Sequence, residues 1–436
     1  MSRPLRRIAT GLAVAILVIV GAMALLLGTT LFALRAAPGD WSHRVAWGLF
    51  AIDLSVPALL RVASHPLGIQ ALAGRSVTTR FGRIRIDAGR PPDTLVVRCR
   101  PCTIDAPVLA AQPIRGADVE ATIVRGEPNQ LHGELRVDRV RAAWKARLSS
   151  QGAQLDVDVA ETPFVDLVAV FGSAVPEAAR ARIDGRGGLA VRVALPSGRY
   201  AVEPRLDGLA VWGLGTDALV NAAPTPACAR VPRQVRASAP FGRWLPKAVI
   251  AAEDQRFFEH PGYDAAEMAA AWSTDGPKAR QRRGASTITQ QLAKLLYTGD
   301  ERSLARKVRE LLYAVELERT LGKARILQLY LAVAPWGDGQ CGGEAAALHY
   351  FGKHAASLDA AEAVWLAALL RNPERELERA ARGEPAEAGR LAAIAAGLRP
   401  LGRARREAVQ ERLREAPPPF PVLARTGIAG GAAAAR

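Results

Sequence analysis

The hydrophobic period of this 436-residue chain changes once, near residue 222, and that change constrains its fold more than any other feature. Before it, runs such as 134-ELRVD-138, 155-LDVDV-159 and 189-LAVRV-193 alternate apolar and polar residues, as on strands with one buried face. After it, Leu304, Val308, Leu311, Leu312 and Val315 fall on one stripe of a helix, with Ser303 placed as its N-cap. The Pro- and Ala-rich stretch 222-AAPTPACARVP-232 separates the two textures. A multidomain α+β chain is expected, long enough for more than one core.

The N-terminus sets the compartment. No residue from Ile8 to Leu34 is charged, and such a run crosses a bilayer core of about 30 Å as a tilted helix. Arg3, Arg6 and Arg7 precede it, which keeps the start of the chain cytoplasmic and places the residues beyond Arg35 outside. A cleavable signal peptide is the rival reading, with a normally shorter apolar run. The expected order is a cytoplasmic stretch 1–7, a transmembrane anchor 8–35 and a membrane-proximal helical segment 36–75 broken by Asp53 and Pro57. A β-rich domain 76–222, a linker 223–237, a mostly helical domain 238–385 and a helical then disordered tail 386–436 complete it. The net charge of +16 suits a polyanionic partner, and outside the cytoplasm that means lipid phosphates rather than nucleic acid. Of the four cysteines, Cys99 and Cys102 form a lone CxxC with no zinc or thioredoxin pattern around it. Cys228 and Cys341 are the expected disulfide pair.

Three stretches of the later domain carry chemistry. In 245-LPKAVIAAEDQRFFEHPG-262, a helix starting near Pro246 turns Glu253 toward Val249, Ile250 and Phe257, and Asp254 toward the polar side. A carboxylate in that sector suits general-base work; a structural ion pair with Arg256 is the plainer alternative. In 284-GASTITQQLAK-294, Ser286, Thr287, Thr289, Gln290 and Gln291 crowd ahead of an apolar helix, and capping accounts for one or two of the five. In 306-RKVRE-310, Glu310 is flanked by Arg306 and Lys307, and residues 278–325 hold twelve Lys or Arg against five Asp or Glu. Such a surplus suits a pyrophosphate leaving group.

Together with 326-ILQLYLA-332, 336-WGDGQCGGEAAALHYFGK-353 and 362-EAVWLAALLRNP-373, these stretches resemble, in order, the motifs of the peptidoglycan glycosyltransferases, glycosyltransferase family 51. The resemblance spans roughly residues 240–375. It implies a lysozyme-like, mostly α-helical domain that polymerises lipid II with inversion, releasing lipid pyrophosphate. Together with the Ile8–Leu34 run, the expectation is a single-pass protein of the bacterial inner membrane with its bulk in the periplasm. Glu253 matches the general base and Glu310 the second glutamate, which helps organise the pyrophosphate side, with a divalent metal such as Mg or Mn as an open option. Lys294, Arg306 and Lys307 match the basic positions, and Ser286, Thr287, Gln290 and Gln291 the substrate-lining segment. Ala332 stands where the family usually has Asn, and Pro335 and Asp338 are unusual in the next loop.

No Ser-x-x-Lys and Lys-Thr-Gly pair occurs, so transpeptidation is expected from a separate partner. Two other functions stay open. One is a lytic enzyme that cuts glycan strands with one glutamate. The other is a non-catalytic envelope scaffold or lipid-handling protein, a reading that draws on the likeness of 163–193 to repeats of AsmA-type envelope proteins.

Overall fold

The computed structural model describes residues 35–47, 50–91, 93–107, 109–127, 129–221, 241–271, 273, 286–382, 384, 387–399 and 401–415. The expected anchor Ile8–Leu34, the linker 223–237, Cys228 and the extreme C-terminal tail lie outside the described residues. Among the described residues no helix is long and apolar enough to cross a membrane. The described residues divide into two compact units: one holds those up to 103 with 116–160 and 189–201, the other 104–115, 161–188 and those from 202 onward.

The first unit opens with a hairpin, β1 (Ser42–Trp47) and β2 (Phe50–Ser55), followed by helices α1 (Val56–Ala63) and α2 (Pro66–Leu72). This corrects the helical reading of 36–75. The alternation in 50-FAIDLS-55 is a strand's, and Pro57 starts a helix rather than breaking one, because a proline near a helix N-terminus sacrifices no internal hydrogen bond.

Nine strands then run in sequence order, β3 (Ser76–Thr79), β4 (Gly82–Ala88), β5 (Thr94–Ile104), β6 (Ile114–Arg125), β7 (Gln130–Val137), β8 (Val140–Leu148), β9 (Ala153–Pro163), β10 (Arg182–Leu195) and β11 (Arg199–Trp212). The register pairs Ile84 with Cys99, Leu131 with Ala146 and Ala142 with Val159. Leu131, Ala146 and Leu148 bury together, with Leu60 and Trp144 against them. Charged residues form a cross-strand ladder, Asp87 to Arg98 at 2.8 Å and Arg98 to Glu120 at 2.8 Å. Cys99 and Cys102 are joined to each other by a disulfide within β5, so the CxxC is a local clasp.

The second unit is mostly helical. After α3 (Phe164–Ala169) come α4 (Leu245–Glu253), α5 (Ala265–Ala271), α6 (Ile288–Ala293), α7 (Leu304–Val333), α8 (Gly343–Phe351) and α9 (Ala360–Leu369). Helices α10 (Pro373–Ala381), α11 (Ala388–Ala396) and α12 (Arg403–Glu415) follow. Every residue of α9 is buried, as a helix apolar on all sides must be, and its Asp359 and Glu362 close a capping box. Around it a single core takes in Leu245, Val249, Ile288, Leu292, Leu312, Tyr330, Trp336 and Tyr350. Leu391, Ile394 and Ala395 of α11 belong to that core, so the folded unit continues past the expected boundary at 385. Residues 161–188 and 202–221, whose texture is that of the β-rich segment, also belong to this unit.

Candidate active site

Helix α4 ends on Glu253, and Asp254 already has extended backbone, φ −158°. The helical-wheel placement of the pair therefore holds only for Glu253. Its side chain is 9% exposed, with Oε1 accepting from Arg390 Nη2 at 2.9 Å and Oε2 from Gln291 Nε2 at 3.0 Å. The surroundings are thus not purely apolar: a guanidinium and an amide both address the carboxylate. The Arg256 alternative fails, since Arg256 pairs with Glu259 at 3.5 Å and Asp264 at 3.4 Å. Tyr330 donates to Gln291 Oε1 at 2.8 Å, and burial together with the Glu253 charge pushes its hydroxyl well above the usual range, so it remains a donor.

Asp254 is buried, not turned to the polar side. Both its oxygens lie 3.0 Å from His260 Nε2, and Oδ2 also accepts from Ile288 N at 3.0 Å. Gly262 N donates to His260 Nδ1 at 3.2 Å, which leaves Nε2 as the protonated nitrogen facing Asp254. The pair ties the loop after α4 to the N-terminus of α6. Gly262 has φ +94°, and a Cβ there would press on Glu318 and the Ala314 carbonyl, so the turn requires glycine.

The polar cluster ahead of α6 divides its work. Thr287 is the N-cap: its hydroxyl accepts from Gln290 N at 3.1 Å and donates to Gly262 O at 2.7 Å, while Gln290 Oε1 accepts from Thr287 N at 3.1 Å. That is a capping box, and it turns Thr287 and Gln290 inward rather than onto a substrate. Thr289 donates to Glu318 at 2.5 Å. Ser286 and Gln291 remain at the site.

On α7, Glu310 is 1% exposed and holds two cations, Lys307 at 2.7 Å and Arg306. Lys307 also donates to Ser286 Oγ at 2.7 Å. Burial, reinforced by Arg306 and Lys294, pulls the Lys307 ammonium down to about 8. Lys294 opens a π-helical turn, Lys294–Thr298, and reaches the exposed Asp300 at 2.6 Å. Gln291 Nε2 lies 3.5 Å from Ser286 O, so a polar path runs from Glu253 through Gln291, Ser286 and Lys307 to Glu310.

The donor set around Glu310 does not fit a divalent metal: both carboxylate oxygens face cations, and among the described residues no three His, Cys, Asp or Glu side chains converge. The unusual loop residues are accommodated, with Pro335 bridged to Cys341 and Asp338, at φ +50°, 2.8 Å from His349. Cys341 is buried; its expected partner Cys228 is outside the described residues. Sequence reasoning missed Arg390, which lies beyond the expected boundary at 385 and meets Glu253 only through the packing of α11 on α4.

Residues 227–395 match the family model described as Transglycosylase. A biosynthetic peptidoglycan transglycosylase of Nitrosomonas eutropha is 46% identical over 129 residues, 30% of this chain and 53% of the relative. Relatives of the same description from Nitrosomonas europaea and Bordetella pertussis are 50% identical over 129 residues and 47% over 133, each match covering 30% of this chain and 53% or 55% of the relative. The chain spans about half the length of the curated relatives it matches. The helical part of the chain is thus similar to the transglycosylase family.

Proposed function

We propose that the protein is a membrane-anchored peptidoglycan glycosyltransferase that polymerises lipid II into glycan strands, with inversion, on the periplasmic side of the bacterial inner membrane. The observation that carries this reading is the polar path joining two glutamates with different neighbours, the partly buried Glu253 with one guanidinium and one amide, the buried Glu310 between Arg306 and Lys307. Glu253 takes the proton from the acceptor's 4-hydroxyl as that oxygen bonds to the donor's anomeric carbon. The bond from that carbon to the lipid pyrophosphate breaks, and the leaving group keeps the electron pair. Lys294, Arg306 and Lys307 meet its growing negative charge, and Glu310 holds the last two in place. A lytic enzyme has no use for that cationic side, because a glycosidic linkage carries no charged leaving group.

In this reading the helical unit is lysozyme-like, the uncharged Ile8–Leu34 run is the anchor, and a separate transpeptidase cross-links the product. The test is purified full-length protein in detergent with labelled lipid II. Polymer is expected; failure to form any across detergents and metal supplements would favour a non-catalytic envelope protein.

A further inference from the structure

Helix α7 is buried on more than its apolar stripe. Tyr313 and Glu316, which lie off the Leu304–Val315 stripe, are buried as well, at 3% and 2% exposure. Their cover comes from before residue 222. Leu109 O accepts from Ala305 N at 2.8 Å, taking up a donor that the first turn of a helix leaves unpaired. Glu177, 2% exposed in the turn Pro176–Ala179, accepts from Arg309 Nε with both oxygens, at 3.0 and 2.9 Å. Arg180 Nη2 donates to the Tyr313 hydroxyl at 2.6 Å, Leu214 N to Glu316 Oε1 at 3.0 Å, and Thr216 meets Thr320 at 2.9 Å. At 3.6 residues per turn the helix positions 305, 309, 313, 316 and 320 fall within an arc of about 80°. One continuous face of α7 is therefore held by residues 104–115, 161–188 and 202–219.

We infer that these segments are a positioning platform for the site, and that Glu177 is the residue that fixes the turn carrying Arg306, Lys307 and Glu310. Arg309 adjoins Glu310, so its ion pair with Glu177 sets the rotation and depth of that turn. The platform also reaches Lys294, because Tyr313, held by Arg180, stacks on Tyr297 of the π-helical turn with ring centres 4.1 Å apart. The match to the transglycosylase family model begins at residue 227, so this device belongs to the part of the chain that precedes it.

The inference rests on the polymerase reading only for its effect on turnover, and two readouts separate them. Hydrogen–deuterium exchange on full-length Glu177→Gln should speed exchange at least tenfold in peptides covering 304–310, and leave α9 peptides unchanged. Lipid II polymerisation by the same variant should lose about tenfold in kcat with KM within twofold. Arg309→Gln should behave alike, and the double variant should be no worse than either single one, as for two groups that act as one. Unchanged exchange at 304–310 would overturn the inference whether or not the protein polymerises lipid II. Faster exchange with unchanged kcat would also overturn it. Faster exchange in a protein whose wild type makes no polymer would uphold the tether and count against the polymerase.

Discussion

Lys307 is a residue whose charge the structure leaves sensitive to pH. It has two partners, Ser286 and Glu310, yet burial and two neighbouring cations bring its ammonium down to about 8, against an ordinary value of about 10.4. Below that pH it is cationic and, in the proposed reaction, would attract the leaving pyrophosphate; as pH rises through it the proton leaves and the attraction goes with it. Turnover should therefore fall on an alkaline limb near 8, and Lys307→Arg, which stays charged, should move that limb upward. Rate–pH profiles of the two proteins check this; an unmoved limb in a folded, active variant would reject Lys307 as its source. Glu253, Glu310 and the neighbouring cations are legible in the sequence because the motif resemblance is residue by residue. Arg390 is not, since an arginine on a surface-patterned helix carries no local sign that tertiary packing will aim it at a carboxylate 137 positions away.

At the scale of elements, the six-residue helix α6 depends on its cap, being too short to hold itself. Thr287→Ala removes both the cap and the bond to Gly262 O, and should cost about 1–2 kcal/mol in denaturant unfolding. Thr287→Ser should restore most of it. Equal stability of the Ala variant would show that the box contributes nothing. Periodicity locates α7 and its cap: Ser303 accepts from Arg306 N at 3.1 Å, and Leu311, Leu312 and Val315 are buried as the stripe requires. It cannot show the second buried face, because Arg309, Tyr313 and Glu316 read as a polar, solvated surface until their partners more than 100 residues earlier are known. The hairpin at 42–55 escapes the sequence for a related reason: two six-residue strands are too short for a period to stand out beside an apolar run.

For the whole molecule, the sequence conveys the sheet-then-helix order, and the nine-stranded sheet does run from Ser76 to Trp212. It does not convey that the compact units interleave, with 161–188 and 202–221 joining the helices, because a composition shift marks where the chain changes texture and not which core each piece enters. The proposed anchor, the uncharged Ile8–Leu34 run, makes its own prediction: full-length protein should stay with membranes through a high-salt wash, and deletion of 8–34 should release it. Release of intact protein by salt alone would argue for a peripheral association. The central claim is that Glu253 accepts the acceptor's proton. Its most direct test is lipid II polymerisation by wild type and Glu253→Gln, with circular dichroism confirming that both are folded. A loss of about 10²-fold or more is predicted, because the amide keeps the size and a hydrogen-bond acceptor but is no base; near-normal polymer from the folded variant would contradict the account.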